Sequence, residues 1–144
     1  MHRRKLFLGF FSAVLTASCD DSSRKPADDD ARQRLIGRWL EELSVDGNQI
    51  QSILTLGQDG KFLELEKVLE VGGSTKQETH AGEWSFDGIN FKRKYTSLNG
   101  QPVPNARFGY ATYAVKSFEK DKFVGVDNVR AREARFSRTE ASVP

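Results

Sequence analysis

Ala-Gly-Glu-Trp-Ser-Phe-Asp-Gly-Ile-Asn-Phe-Lys-Arg-Lys-Tyr, residues 81–95, decides how this chain folds. On both sides of Asp87-Gly88 the side chains alternate with a period of two. His80, Gly82, Trp84 and Phe86 share one face before the dipeptide. Ile89, Phe91, Arg93 and Tyr95 share one after it, set against Asn90, Lys92, Lys94 and Thr96. A period of two places successive side chains on opposite faces of a strand, and Asp-Gly supplies the backbone angles of a tight hairpin turn. The stretch therefore reads as two antiparallel strands, each with one buried face.

The same pattern extends outward. Leu35, Gly37, Trp39 and Glu41 face one way and Ile36, Arg38, Leu40 and Glu42 the other, ending in an Asp46-Gly47-Asn48 turn. Leu54 and Leu56 oppose Ile53 and Thr55, and Asp59-Gly60 marks a further hairpin into a strand with Leu63 and Leu65 opposite Glu64 and Glu66. Gly72-Gly73-Ser74 breaks the chain before the strand that holds His80. Residues 97–106, with Pro102 and Pro104, read as the longest loop. Residues 107–118 carry Phe108, Tyr110 and Tyr113. Lys120-Asp121 turns into residues 123–127, and residues 130–138 form the last strand, with Ala134 and Phe136 inward. No segment past residue 40 sustains a 3.6-residue apolar period. Eight short strands joined by short turns make an all-β meander, and eight is about the number that closes into a small antiparallel up-and-down barrel. A sandwich or an incompletely closed barrel would read almost the same.

The N-terminus has a different character. His2, Arg3, Arg4 and Lys5 precede an apolar run from Leu6 to Leu15, and Thr16-Ala17-Ser18 leads to Cys19, the only cysteine. About ten apolar residues are too few to cross a hydrocarbon core roughly 30 Å thick, so residues 1–18 read as a cleavable export signal. The placement of Cys19 resembles a bacterial lipobox, although Thr16 stands where the lipobox usually has leucine. The resemblance implies a lipidated Cys19 at the mature N-terminus and a membrane partner through that lipid, with acyl chains such as palmitate contributing about 0.8 kcal/mol per buried CH₂. The alternative is an ordinary secretory signal that releases a soluble protein. Asp20 resembles the residue that retains lipoproteins in the inner membrane of enteric bacteria. The expected location is thus the cell envelope, facing the periplasm, with the outer membrane as the other option.

Removing residues 1–18 also removes Arg3, Arg4 and Lys5. Of the 22 basic side chains 19 remain, against 20 acidic ones, so no net positive charge points to a nucleic-acid partner. Residues 20–34 contain no large apolar side chain, and residues 19–34 are expected to form a flexible acidic tether. The end of that tether would form a helical turn favoured by Asp28 to Asp30 and stopped by Gly37. Residues 35–138 make one domain, and residues 139–144 a tail.

Leu35-Ile36-Gly37-Arg38-Trp39 resembles the opening of lipocalins and of bacterial lipocalin-like domains, a Gly-x-Trp after a short helical turn. Residues 54–62 are similar to their second hairpin, Gly82-Glu83-Trp84 to their mid-domain Gly-x-Trp, and Phe136-Ser137-Arg138 to their closing strand. The resemblance implies that Trp39 and Arg138 meet at a closed barrel end as a structural pair, with Arg135 the other arginine available. It also implies an interior that binds a small apolar or amphipathic ligand.

Catalysis has little support. With His2 in the leader, His80 is the only histidine of the mature chain, so no Cys/His cluster for zinc and no Ser-His-Asp order is legible. The acidic residues are spread along strands rather than gathered in a calcium loop, and Gly72-Gly73-Ser74 lacks the Lys-Ser/Thr of a phosphate loop. The expected protein has no catalytic residue, metal or cofactor. Its candidate ligand pocket is His80, Trp84, Arg93 and Tyr95, where a charge among aromatics would orient an anionic amphiphile. Alternatively Arg93 reaches solvent over a packed aliphatic stem, His80 is an ordinary interior or rim residue, and the rings fill the barrel. In that case the domain is a solid protein–protein interaction module, an assembly accessory or inhibitor. Lys92 and Lys94, with Arg130 and Arg132, would form a basic surface if their strands were neighbours.

Overall fold

A computed structural model describes residues 26–103 and 109–141. The leader, Cys19, Asp20, Pro104, Arg107 and Phe108 lie outside the described residues. A single helix, α1 (Pro26–Leu35), precedes the strands β1 (Gly37–Val45), β2 (Asn48–Leu56), β3 (Lys61–Leu69), β4 (Thr75–Phe86), β5 (Asn90–Leu98), β6 (Gln101–Pro102), β7 (Tyr110–Phe118), β8 (Lys122–Asp127) and β9 (Glu133–Arg138).

Each long strand pairs antiparallel with the next, from β1 through β5 and on to β7, β8 and β9, while β9 pairs back onto β1. The result is a closed eight-stranded up-and-down barrel, with the two-residue β6 appended to the end of β5. Closure pairs both edges of the sheet, which a sandwich would leave free. The aspartates set the turns. Asp87 Oδ1 accepts from the backbone N–H of Ile89 and Asn90 at 3.1 and 2.7 Å, and Asp59 Oδ1 from that of Lys61 at 3.0 Å.

One half of the interior is packed with rings. Trp39, Phe91, Phe123 and Phe136 are fully buried, and Trp84, Phe62 and Tyr113 nearly so. Phe123 stacks on Phe136 with centroids 4.3 Å apart and meets Trp39 edge-on at 4.8 Å, while Phe91 touches Tyr113, Phe123 and Phe136. Burial of this much apolar surface, at about 25 cal/mol per Å², is the main driving force for the fold.

α1 closes that end of the barrel. Leu35 is buried, and its carbonyl accepts from Trp39 Nε1 at 2.7 Å. Arg32 lies over the Trp84 ring and Arg34 over Phe118, 4.7 and 4.3 Å from the centroids. The helical turn expected at the end of the tether is a ten-residue helix, docked through Arg32, Arg34 and Leu35.

Three further readings are corrected. Ile89 lies in the Asp87–Asn90 turn and is exposed, so the inward face of β5 begins at Phe91. The last strand starts at Glu133 rather than residue 130, because Asp127 Oδ1 accepts from the N–H groups of Val129 and Arg130 and folds that segment into a turn. The strand with Lys92 and Lys94 is separated from β9 by β7 and β8, and Arg130 and Arg132 lie in the β8–β9 connection, so the expected neighbouring of the two strands does not occur.

Candidate functional site at the far end of the barrel

The strand directions put the β1–β2, β3–β4 and β8–β9 connections, together with the segment after β5, at the end opposite α1. Toward that end the interior changes from aromatic to ionic. Arg93 is only 3% exposed, and its Nη1 donates to Glu64 Oε1 at 2.7 Å while Nη2 donates to the Tyr113 hydroxyl at 3.0 Å. The Tyr95 hydroxyl donates to Glu64 Oε2 at 3.3 Å. Arg93 Nε is buried with no hydrogen-bond partner among the described residues. Burial alone would lower the Arg93 pKa, but Glu64, with Tyr95 and Tyr113, raises it well above its ordinary value and keeps the guanidinium charged. Burial pushes the Tyr95 and Tyr113 hydroxyls up, so both remain hydroxyl donors at neutral pH.

Glu64 was read simply as sitting opposite Leu63 and Leu65. Register shows that its face is the inner one: Phe62, Glu64 and Glu66 pair with Leu56, Leu54 and Ser52 of β2, whereas Leu63 is exposed. The leucine face of β3 is the outer one. Glu41, beside Trp39 on the inner face of β1, is 6% exposed and pairs across to Ser52, which pairs in turn with Glu66 and then Glu78. Burial first, and the Glu64 charge in addition, push the Glu41 carboxyl up to about 6 against the pull of Arg93. Burial and Glu64 also raise Glu66.

The residues proposed from sequence fall into three places. Trp39 and Arg138 lie together at the α1 end, with the guanidinium 4.1 Å from the indole centroid and donating to the carbonyls of Ile36 and Arg34, while Arg135 instead pairs with Glu133 on the surface. Trp84 also belongs to that end, where its Nε1 donates to the Gly57 carbonyl at 2.9 Å. Arg93, Tyr95 and His80 belong to the ionic half. His80 meets Tyr95 edge-on at 5.7 Å and sits 3.7 Å from Glu78. Trp84 stands directly opposite Arg93 in the β4–β5 register, with its indole N–H turned toward the α1 end, and Arg93 neither reaches solvent nor stands without a counter-ion.

Sequence reasoning missed Glu41, Glu64, Glu66 and Glu78. The available signal was parity: Glu64 shares a face with Phe62, and Glu41 with Trp39. Ligand atoms of Glu66, Glu78 and His80 all lie within 4.8 Å of one another, close enough to hold a cation. Around this interior the rim mixes polar side chains, such as Asp46, Glu70, Lys76 and Arg130, with exposed apolar ones. Leu69, Val71, Leu98, Tyr110 and Val129 are exposed, with Val71 at 75% and Val129 at 85%. A groove of ≈ 380 Å³ lies along the outside of β1–β3, lined by Glu42, Gln49, Ile50, Gln51, Lys67 and Leu69. No protein-family model and no curated protein matches the chain.

Proposed function

We propose that the chain is a lipocalin-like, lipid-anchored protein of the bacterial cell envelope. In this reading the solid barrel binds another envelope protein through its far-end rim. The observation that carries the proposal is an interior occupied by rings and a buried ionic network, with exposed apolar side chains such as Val71 and Val129 in the turns beyond it. Rings occupy the α1 half, and the Arg93–Glu64–Tyr95–Tyr113 network crosses the barrel above them. A carrier of apolar ligands instead needs an apolar-lined enclosed cavity of several hundred Å³. The outer groove mixes charged, amide and aliphatic side chains, which suits an acyl chain poorly. Exposed aliphatic and aromatic side chains concentrated at one end mark an interaction surface.

The anchor fits this geometry. Only residues 20–25 separate Cys19 from α1, a span of roughly 20 Å at full extension. Lipid on Cys19 would hold the α1 end toward the bilayer and leave the rim free to face the periplasm. A Cys19→Ser variant is expected to leave the membrane fraction, and continued partitioning with membranes would overturn the anchor. Photo-cross-linkers at Val71 and Val129 are expected to give a discrete adduct in intact cells, with Ile89, also exposed but at the α1 end, giving none. The same adduct from Ile89, or none from the rim, would overturn the binding surface.

A further inference from the structure

From the cluster at the far end we infer that Glu66, Glu78 and His80 form a binding site for a divalent transition-metal cation of the zinc class, with the buried Glu41 carboxylate behind it. The inference does not depend on the protein-binding role of the rim.

Two independent features support it. The first is a cross-strand pair of like charge. Glu66 and Glu78 stand directly opposite each other on the inner faces of β3 and β4, an arrangement that is destabilising unless a cation lies between the carboxylates. His80, two residues along the same face of β4 from Glu78, adds a nitrogen ligand, and ligand atoms of all three residues converge within 4.8 Å. The His80 ring is held by its edge contact with Tyr95, so its orientation is built into the barrel wall. Imidazole with two carboxylates is a donor set that suits zinc and neighbouring transition metals, and a site with three protein ligands leaves a position for water.

The second feature is Glu41. It is more than nine-tenths buried and faces the interior in the same cross-strand row as Glu66 and Glu78, with no hydrogen bond to its carboxylate among the described residues. Arg93 and Arg132 attract its charge without hydrogen-bonding to it, so the carboxylate adds negative potential on this side of the interior. Charge balance gives the same answer. Of the four inward carboxylates Glu41, Glu64, Glu66 and Glu78, Glu64 keeps its partner Arg93 at 2.7 Å, and once Lys76 leaves Glu78 the other three outweigh the charge of a divalent ion. Lys76 is a competitor in this arrangement, because its exposed ammonium occupies one oxygen of Glu78 and must swing into solvent as the metal enters.

The test uses the full chain in detergent, carrying His2→Ala so that His80 is the lone histidine, stripped with chelator and titrated with ZnCl₂ by calorimetry. One equivalent of zinc is expected to bind saturably with micromolar affinity, and Co²⁺ should give the visible absorption of a nitrogen- and oxygen-ligated ion. Glu66→Gln and His80→Gln should each weaken zinc binding at least about tenfold, as loss of a ligand does. Lys76→Ala should strengthen it severalfold. Because the lysine is exposed, that variant tests the site without risk to the fold. No saturable zinc binding below about 100 µM by the folded chain would overturn the inference. So would affinity unchanged in both ligand variants, or in Lys76→Ala.

Discussion

Arg93 and Glu64 form a buried ion pair across the inside of the barrel, Nη1 to Oε1 at 2.7 Å, with both side chains almost wholly removed from water. Neither charge is affordable alone in that setting, since the desolvation of each is offset chiefly by the other. Arg93→Met, which leaves Glu64 buried without its cation, is expected to lower stability by about 3–5 kcal/mol in urea denaturation. Glu64→Gln should cost a comparable amount. The double variant Arg93→Met/Glu64→Leu should recover most of the loss, because apolar residues of similar volume remove both charges together. A double variant as unstable as the sum of the two single ones would show that the pair is not a coupled unit.

Glu41 makes stability fall as pH rises. Its folded pKa, pushed up to about 6 mainly by burial, lies above the ordinary 4.5, so the native state holds the proton more tightly than the unfolded chain. The neutral carboxyl is accommodated fully below about pH 4.5. Between 4.5 and 6 the native state loses part of its advantage, about 2 kcal/mol in all at 1.36 kcal/mol per unit. In chelator, Glu41→Gln is therefore expected to be more stable than the parent at pH 7.5 by up to about 2 kcal/mol, with the gap closing by pH 4.5. Parallel stability–pH curves for the two proteins would contradict this account.

The barrel was legible in the sequence because its determinants are local. Alternation around Trp84, Phe91, Leu54 and Phe136 places each strand's faces, and the aspartate turns place the ends. The ionic interior was not, because it depends on which face of β3 turns inward. Composition suggests the face with Leu63 and Leu65, but pairing with Leu54 and Leu56 selects Phe62 and Glu64. The cation cluster was hidden for a related reason: Glu66 lies far from Glu78 and His80 along the chain, and only the β3–β4 register brings them together. The helix before Gly37 was legible as a turn, but its docking was not, because Arg32 and Arg34 lie on rings, a contact that no apolar periodicity announces.

Gly82 is required by crowding. A Cβ built there would be driven into the backbone carbonyl of Lys94 and lie 2.9 Å from the Phe62 ring, at the point where β5 carries an extra residue between its pairings with Ala81 and Gly82. Neither obstacle is the end of a flexible side chain, so the strands must part to admit a methyl group. Gly82→Ala is expected to cost at least about 2–3 kcal/mol in thermal or urea unfolding. Gly72→Ala, where nothing lies within 4 Å of the added carbon, should be close to neutral. Equal stability of the two variants would count against the close approach.

Arg138 latches α1 to the barrel. Its guanidinium covers the Trp39 indole, donates to the Ile36 carbonyl at 2.6 Å and to that of Arg34, and fills the space where a Cβ on Gly37 would go. Lysine keeps the charge but offers no planar fork to hold two carbonyls while covering a ring. Arg138→Lys should therefore loosen the junction between α1 and β1 without opening the barrel, at a cost of about 1–3 kcal/mol. Amide exchange is expected to accelerate over residues 29–36 and to stay slow in β3 and β4, while Trp39 becomes more accessible to a fluorescence quencher than in the parent. Uniform acceleration across all strands would instead place Arg138 in the global core, and an unchanged α1 would show that Leu35, Arg32 and Arg34 suffice to hold it.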